Sequence, residues 1–192
     1  MTMGTQRMSH GAATVPASSR SATKARETGL TRSDFFADVV ERLRAALPAE
    51  LADFQSKTTM SLLKVYYGNE RVHYEVWANG SQRTLEIGLH FEDGPISTSA
   101  YLAHFDRMIV ELKHHLGPDV ELERWTSTWG HLYEVAPLTT LTPALVVQTV
   151  SRLGALISTL QPLVEAAAVA PERSSVANEP RGPWRKWRRG GH

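Results

Sequence analysis

Cysteine is absent from the 192 residues, and its absence excludes several kinds of chemistry. Without a thiol the chain forms no disulfide, offers no thiolate nucleophile and cannot hold an iron–sulfur cluster or a cysteine-rich zinc site. No stretch approaches the roughly 20 apolar residues of a membrane-spanning helix, and the N-terminal residues lack the apolar core of a secretory signal. These absences predict a bacterial cytoplasmic protein without a membrane span.

Short motifs of the common enzyme classes are also absent. The sequence has no glycine-rich phosphate loop, no Gly-x-Ser-x-Gly elbow and no His-Glu-x-x-His zinc helix. A restriction-nuclease core needs an acidic residue followed by Glu-x-Lys on an adjacent strand. The two segments in question, Glu75-Val76-Trp77 and Glu86-Ile87-Gly88, lack the lysine. We therefore expect a protein that is not an enzyme and that carries no cofactor or metal.

The composition is that of an ordinary folded protein, but its charges are segregated. Hydrophobic residues make up 42% of the chain, which is enough for a core. Residues 1–32 carry five basic side chains against one acidic, residues 33–170 carry 10 against 17, and residues 171–192 carry six against two. The net charge of +1 therefore hides an acidic body between two basic arms.

A helix is predicted at the start of the body. Thr31 can cap it, and Asp34 can pair with that cap three residues on. Apolar residues then follow a helical spacing until Pro48 interrupts it, with an extra turn through Leu51 and Phe54 as an option.

A β-meander is predicted next, with strands at about 60–67, 71–77 and 83–92. The dipeptides Gly68-Asn69 and Asn79-Gly80 separate these strands, and both supply the positive φ angles that tight hairpins need. Along the third strand the inward positions alternate with polar ones and comprise Leu85, Ile87, Leu89 and Phe91. This alternation predicts one packed face and one solvated face.

The second half of the body contains two more helices and a second hairpin. Ser97 or Thr98 is expected to cap a helix that ends at Leu116, where Gly117-Pro118 stops it. Thr142-Pro143 opens a third helix that should bend or end near Pro162. The strands between these helices are expected at 120–125 and 131–135.

The order of elements is α-β-β-β-α-β-β-α, which predicts an α+β fold of two layers with an antiparallel five-stranded sheet. Residues 31–168 should form this single domain. We expect residues 1–30 to be a disordered basic extension, and residues 169–192 to be a disordered basic tail rich in Trp and Arg.

This order resembles the topology of the type III secretion chaperone and YbjN-like fold, whose members are small acidic homodimers. The resemblance implies a protein-binding or chaperone-like role. Separately, Leu89-His90-Phe91-Glu92, Leu116-Gly117-Pro118 and the strand from Val120 to Trp125 are similar to an uncharacterised bacterial domain found with restriction-nuclease-like proteins. That second resemblance implies no catalytic residue.

The outward face of the meander is the best candidate for a site. If the alternation holds, cross-strand neighbours about 5 Å apart bring polar side chains of strands two and three together. These side chains are His73, Glu75, Trp77, Glu86, His90 and Glu92. They suit zinc, iron or acid–base chemistry. A slip of one residue in the register would remove the cluster, and a solvated face would carry polar residues in any case.

Aromatic residues mark two further surfaces. Trp77, Trp125 and Trp129 are either interface residues for a second protomer or client, or core residues beneath the third helix. The tail interleaves aromatic and basic residues, namely Arg181, Trp184, Arg185, Lys186, Trp187, Arg188 and Arg189. It is suited to binding nucleic acid or a lipid surface, to folding back onto the acidic body, or to keeping the protein soluble.

Overall fold

The computed structural model describes residues 29–167, so the predicted extension and the Trp- and Arg-rich tail lie outside the described residues. The helices and strands follow in chain order as α1 Arg32–Ala46, α2 Ala49–Ala52, β1 Gln55–Thr58, β2 Leu62–Tyr66, β3 Val72–Asn79, β4 Thr84–Phe91, α3 Pro95–Asp106, α4 Ile109–Leu116, β5 Glu121–Arg124, β6 Gly130–Pro137 and α5 Pro143–Ala166. The strands form one antiparallel sheet in the order β1-β2-β3-β4-β6-β5.

The α+β class is confirmed, but the sheet has six strands rather than five. The additional strand is β1, which lies before the predicted strand one; that predicted strand corresponds to β2. The backbone amide of Thr59 donates to the carbonyl of Leu62 over 2.8 Å and closes the turn between β1 and β2. Met60 at this turn is 90% exposed, whereas Phe54 just before β1 is buried. The extra helical turn is α2, and it ends before Phe54.

Helix two of the prediction is divided into α3 and α4. Gly94 is the N-cap of α3 with a φ of 91°, and Pro95 is its first residue. The predicted caps Ser97 and Thr98 are instead buried inside the helix. The hydroxyl of Thr98 donates to the carbonyl of Phe91, so it ties the helix to β4.

The remaining helix ends agree in part with the prediction. Thr31 and Thr142 cap α1 and α5 by accepting hydrogen bonds from backbone amides three residues on. Pro162, however, lies inside α5, which continues to Ala166 because Leu163 and Val164 still pack against the core.

The two hairpin turns differ from each other. Gly68 has a positive φ of 75°, as predicted, whereas in the turn between β3 and β4 the positive φ falls on Arg83 and not on Gly80. The side-chain oxygen of Asn79 stabilises this second turn by accepting a hydrogen bond of 3.1 Å from the backbone amide of Gln82.

The described helices that pack on the sheet all lie against one face, with α1 packed on α5. Phe91 of β4 stacks on Phe105 of α3 with ring centroids 5.5 Å apart, and Tyr74 of β3 donates a hydrogen bond to Gln161 of α5. The largest fully buried side chains include Phe35, Phe36, Leu63, Tyr74, Leu89, Phe105, Leu132 and Leu153. Each such apolar side chain contributes about 1.5–3 kcal/mol on burial, which makes this face the core.

By length and composition α5 is long and apolar enough to cross a membrane, which differs from the expectation that no segment reaches this limit. One stripe of α5, including Val146, Leu153 and Ile157, is buried against α1 and the sheet. A core helix has the same composition, so this feature is weak evidence for a membrane span.

Candidate metal centre

The sheet face opposite the helices, called the outer face below, carries a row of three histidines. His73 on β3 lies directly across from His90 on β4, and His90 lies directly across from His131 on β6. The ring centroids of His73 and His90 are 5.5 Å apart, and those of His90 and His131 are 5.1 Å apart. Residues that are paired across strands share one face, so all three rings point to the same side of the sheet.

Gly88 forms the floor of the site beside this row. Glu75 of β3 and Tyr133 of β6 lie directly across from Gly88 on its two sides. Glu86 and His90 lie two residues before and after it on β4, so both project from the same face as the missing side chain. Because glycine has no side chain, β6 approaches it closely at Tyr133, and the side chains of Glu86 and His90 can approach each other beside it.

Three pairs of atoms on this face share one separation. Glu86 Oε1 lies 3.4 Å from His90 Nε2 and 3.4 Å from His131 Nδ1, and His73 Nε2 lies 3.4 Å from Glu75 Oε2. A charge-assisted hydrogen bond is usually about 2.7–2.9 Å long. Two ligands of one tetrahedral metal ion, each about 2.0–2.1 Å from it, are about 3.4 Å apart. His73 and Glu75 form a long hydrogen bond, and all three separations match the spacing of ligands around one ion.

Several nitrogens of the histidine row are buried without a partner. Among the described residues, His73 Nδ1, His90 Nε2 and both ring nitrogens of His131 have no hydrogen-bond partner. A buried polar atom without a partner costs about 1–3 kcal/mol, so such atoms call for a physical explanation. An ion next to Glu86 Oε1 would satisfy two of them, His90 Nε2 and His131 Nδ1.

Electrostatics keep the carboxylates of the site charged. Burial would raise the pKa of Glu86, but the contacts with His131 and His90 and their charges lower it to about 2. Burial would likewise raise the pKa of Glu75, and the charge of His90 together with the contact to His73 lowers it. Both carboxylates are therefore ionised at neutral pH, which is the form that binds a cation.

The histidines respond differently to their surroundings. Burial lowers the pKa of His73 despite its contact with Glu75. Burial would also lower the pKa of His90, but the charge of Glu75 and the contact with Glu86 raise it overall. The two carboxylates therefore favour a positive charge at His90, at the centre of the site.

Burial on the outer face corrects the prediction of a solvated face. His73 is fully buried, His90 is 3% exposed and Glu75 is 6% exposed. Aromatic rings shield the third histidine, because Trp125 and Tyr133 both stack on His131 with centroids 5.5 and 3.9 Å away. The site is therefore in a low-dielectric environment, where charges interact more strongly than at a solvated surface.

Metal-ligating atoms fall into two groups on this face, and His90 belongs to both. One group is Glu86, His90 and His131, and the other is His73, Glu75, His90 and Glu92. Within each group the ligand atoms all lie within 4.8 Å of one another. The first group is the more compact, because a single carboxylate oxygen lies 3.4 Å from both imidazoles.

The structure brings together the five polar residues predicted on this face, which are His73, Glu75, Glu86, His90 and Glu92. His131 was missed, because β4 pairs with β6 across two intervening helices and no local pattern shows that pairing. One indication of this residue was present in the sequence, because His131 lies in the strand predicted at 131–135.

The predicted tryptophans surround this site. Trp77 lies across from Glu86 and is half-buried. The rings of Trp125 and Trp129 are 6.0 Å apart on the β5–β6 hairpin, and Trp125 is 38% exposed. None of the three belongs to the core, so the alternative that the third helix covers them is wrong.

Comparisons with known proteins add no family or relative, because a scan against family models and a search of curated proteins both gave no match. The chemistry of this site therefore rests on its own geometry, and the resemblance to chaperone-like domains stays a prediction.

Proposed function

We propose that the protein binds a divalent transition-metal ion on its outer face, with Glu86, His90 and His131 as ligands, and uses it to activate water. The observation that carries this proposal is the position of Glu86 Oε1, 3.4 Å from one nitrogen of each imidazole. That spacing is the one that a shared tetrahedral ion requires.

The ligand types narrow the choice of metal. Two imidazoles and one carboxylate suit Zn²⁺ or Fe²⁺, whereas Mg²⁺ and Ca²⁺ prefer oxygen ligands alone. Three protein ligands leave one coordination position for water, which is the arrangement of catalytic rather than structural zinc sites. An ion held by these three residues would lower the pKa of a bound water and would supply hydroxide near neutral pH.

The charge state of the free site supports the same proposal. Glu86 is ionised at neutral pH, because its pKa is lowered to about 2. Despite burial, the carboxylates of Glu75 and Glu86 raise the pKa of His90, so an entering ion competes with protons for this imidazole. Binding should therefore release protons, and the affinity should fall as the pH is lowered and the imidazoles become protonated.

Metal titration of the untagged full chain tests the proposal. After treatment with a chelator, the protein is titrated with Zn²⁺ by calorimetry and its bound metal is measured by elemental analysis. Glu86→Gln and His131→Ala should each weaken the binding of the ion at this site at least 10-fold, since each removes a ligand.

Matched control variants come from α4. Glu111 and His114 are exposed, and neither belongs to the two groups of possible ligands. Glu111→Gln and His114→Ala should leave the affinity unchanged. The proposal fails if the wild-type chain binds no Zn²⁺ at tens of micromolar, or if the ligand variants bind it as tightly as the controls.

A further inference from the structure

We infer that the outer face holds a second divalent transition-metal ion, ligated by His73, Glu75 and Glu92, next to the ion of the proposed function. The inference rests on that function, because His90 belongs to both groups of ligand atoms. His73, His90 and His131 would then line a two-metal site, with His90 next to both ions.

The second group shows the same spacing as the first. His73 Nε2 lies 3.4 Å from Glu75 Oε2, which is again the separation of two ligands on one tetrahedral ion. Glu92 continues the same face of the chain beyond β4, and its carboxylate lies within 4.8 Å of the other ligand atoms.

Burial makes this second group a built site rather than a surface cluster. His73 is fully buried, and Glu75 is 6% exposed. His73 Nδ1 is buried without a hydrogen-bond partner among the described residues, although its other nitrogen faces Glu75. A stable sheet has no need of this arrangement, because an apolar pair at these positions would avoid the loss of solvation.

Charge on the outer face also suits two ions. The two groups together contain three carboxylates, from Glu75, Glu86 and Glu92, so two divalent cations leave a net charge of only about +1. One ion at the first position would leave Glu75 and Glu92 with Lys64 as their shared counter-charge. Buried charges of this kind need a partner.

In the protein without metal, Lys64 partly neutralises the carboxylates of the second group. Its ammonium group lies 3.1 Å from Glu92 Oε2, and it is directly across from Glu75 in the β2–β3 pairing. Lys64 is only 17% exposed, so its charge is weakly screened. An ion at the second position must therefore compete with this lysine for Glu92.

Two neighbouring ions would extend the chemistry of the proposed function. A pair of metal ions about 3.5–4 Å apart can hold the attacking hydroxide on one ion and stabilise a leaving oxygen on the other. The site would then suit hydrolysis of an ester, above all a phosphate ester.

Metal stoichiometry separates this inference from the proposed function. With the untagged full chain and Zn²⁺ alone, we expect two equivalents per chain. His73→Gln and Glu75→Gln should reduce this to one, and Glu86→Gln should remove the other. A wild type that binds one equivalent, lost in Glu86→Gln and retained in His73→Gln, overturns the second ion and leaves the proposed function standing. A chain that binds none overturns both.

Lys64→Met tests the second position without removing a ligand. Loss of the competing cation should tighten the second ion about 10-fold and leave the first unchanged. Equal affinities in Lys64→Met and the wild type would contradict the second position, even if His73→Gln failed to fold. Far-UV circular dichroism shows whether each variant is folded, and His114→Ala is the control for loss of an imidazole.

Discussion

Replacing Gly88 with alanine should destabilise the fold, because the new methyl group would meet the backbone of β6. An ideal Cβ at this position lies 2.6 Å from Tyr133 Cβ, 2.7 Å from the carbonyl oxygen of Leu132 and 2.9 Å from Tyr133 Cα. Carbon atoms attract each other best at about 3.5–4.0 Å, so the closest contact is about 1 Å too short. Rotation of a side chain cannot relieve it, since two of the three atoms belong to the main chain.

The cost should lie at the upper end of the range for overpacked cores, which is about 1–3 kcal/mol. Strands β4 and β6 would have to separate around the Gly88–Tyr133 pair, and their hydrogen bonds would lengthen. We therefore expect a loss of about 3 kcal/mol in the free energy of unfolding. For a domain of this size that corresponds to a decrease of about 12 °C in Tm.

Urea denaturation and thermal melting of the full chain measure this loss. Gly154→Ala is the matched control, because its new Cβ would lie 3.9 Å from the nearest atom, on Leu43. Since Gly154 lies within α5, alanine should stabilise the helix by up to about 1 kcal/mol. If Gly88→Ala were as stable as the wild type, the close approach of β6 to Gly88 would be refuted, and the proposed floor of the metal site with it.

Three further predictions concern other parts of the chain. Burial raises the pKa of Tyr67 to about 12, so its contribution to stability is complete below pH 10 and lost between pH 10 and 12; Tyr67→Phe should remove that loss from urea midpoints measured across this range. Deletion of residues 180–192, outside the described residues, should abolish any salt-sensitive binding of a DNA or RNA oligonucleotide, and unchanged binding would contradict the tail hypothesis. Light scattering should give twice the chain mass of 21.3 kDa if the chaperone-like dimer exists, whereas a strict monomer contradicts it.

Local signals predicted the meander well. Turn residues and the alternation along β4 act over a few residues, so they predicted that β3 and β4 are adjacent, whereas the register that pairs His73 with His90 was left open. The division of the predicted second helix at Arg107 and Met108 was not predictable, because the apolar spacing continues across the break. Tertiary packing decides such a break, and it does not appear in the helical pattern.

Half of the candidate site depended on a pairing between distant segments. β4 and β6 are adjacent in the sheet although α3, α4 and β5 lie between them in the chain. Sequence patterns predicted each strand separately but not their adjacency, so His131 had no visible relation to Glu86. The same adjacency places Tyr133 beside Gly88, and it explains why this glycine is required.

Burial of the polar face is the strongest physical argument that the histidine row has a function. Charges such as Glu86 lose solvation when they are buried, and apolar residues of similar size are often as stabilising or more so. Strands also favour β-branched and aromatic residues, so Val or Tyr at these positions would satisfy both propensity and packing. Departures from these preferences are expected where a protein trades stability for function. The two carboxylates and three imidazoles around Gly88 therefore point to a ligand whose binding offsets their cost, and a divalent cation matches their chemistry and their 3.4 Å spacing.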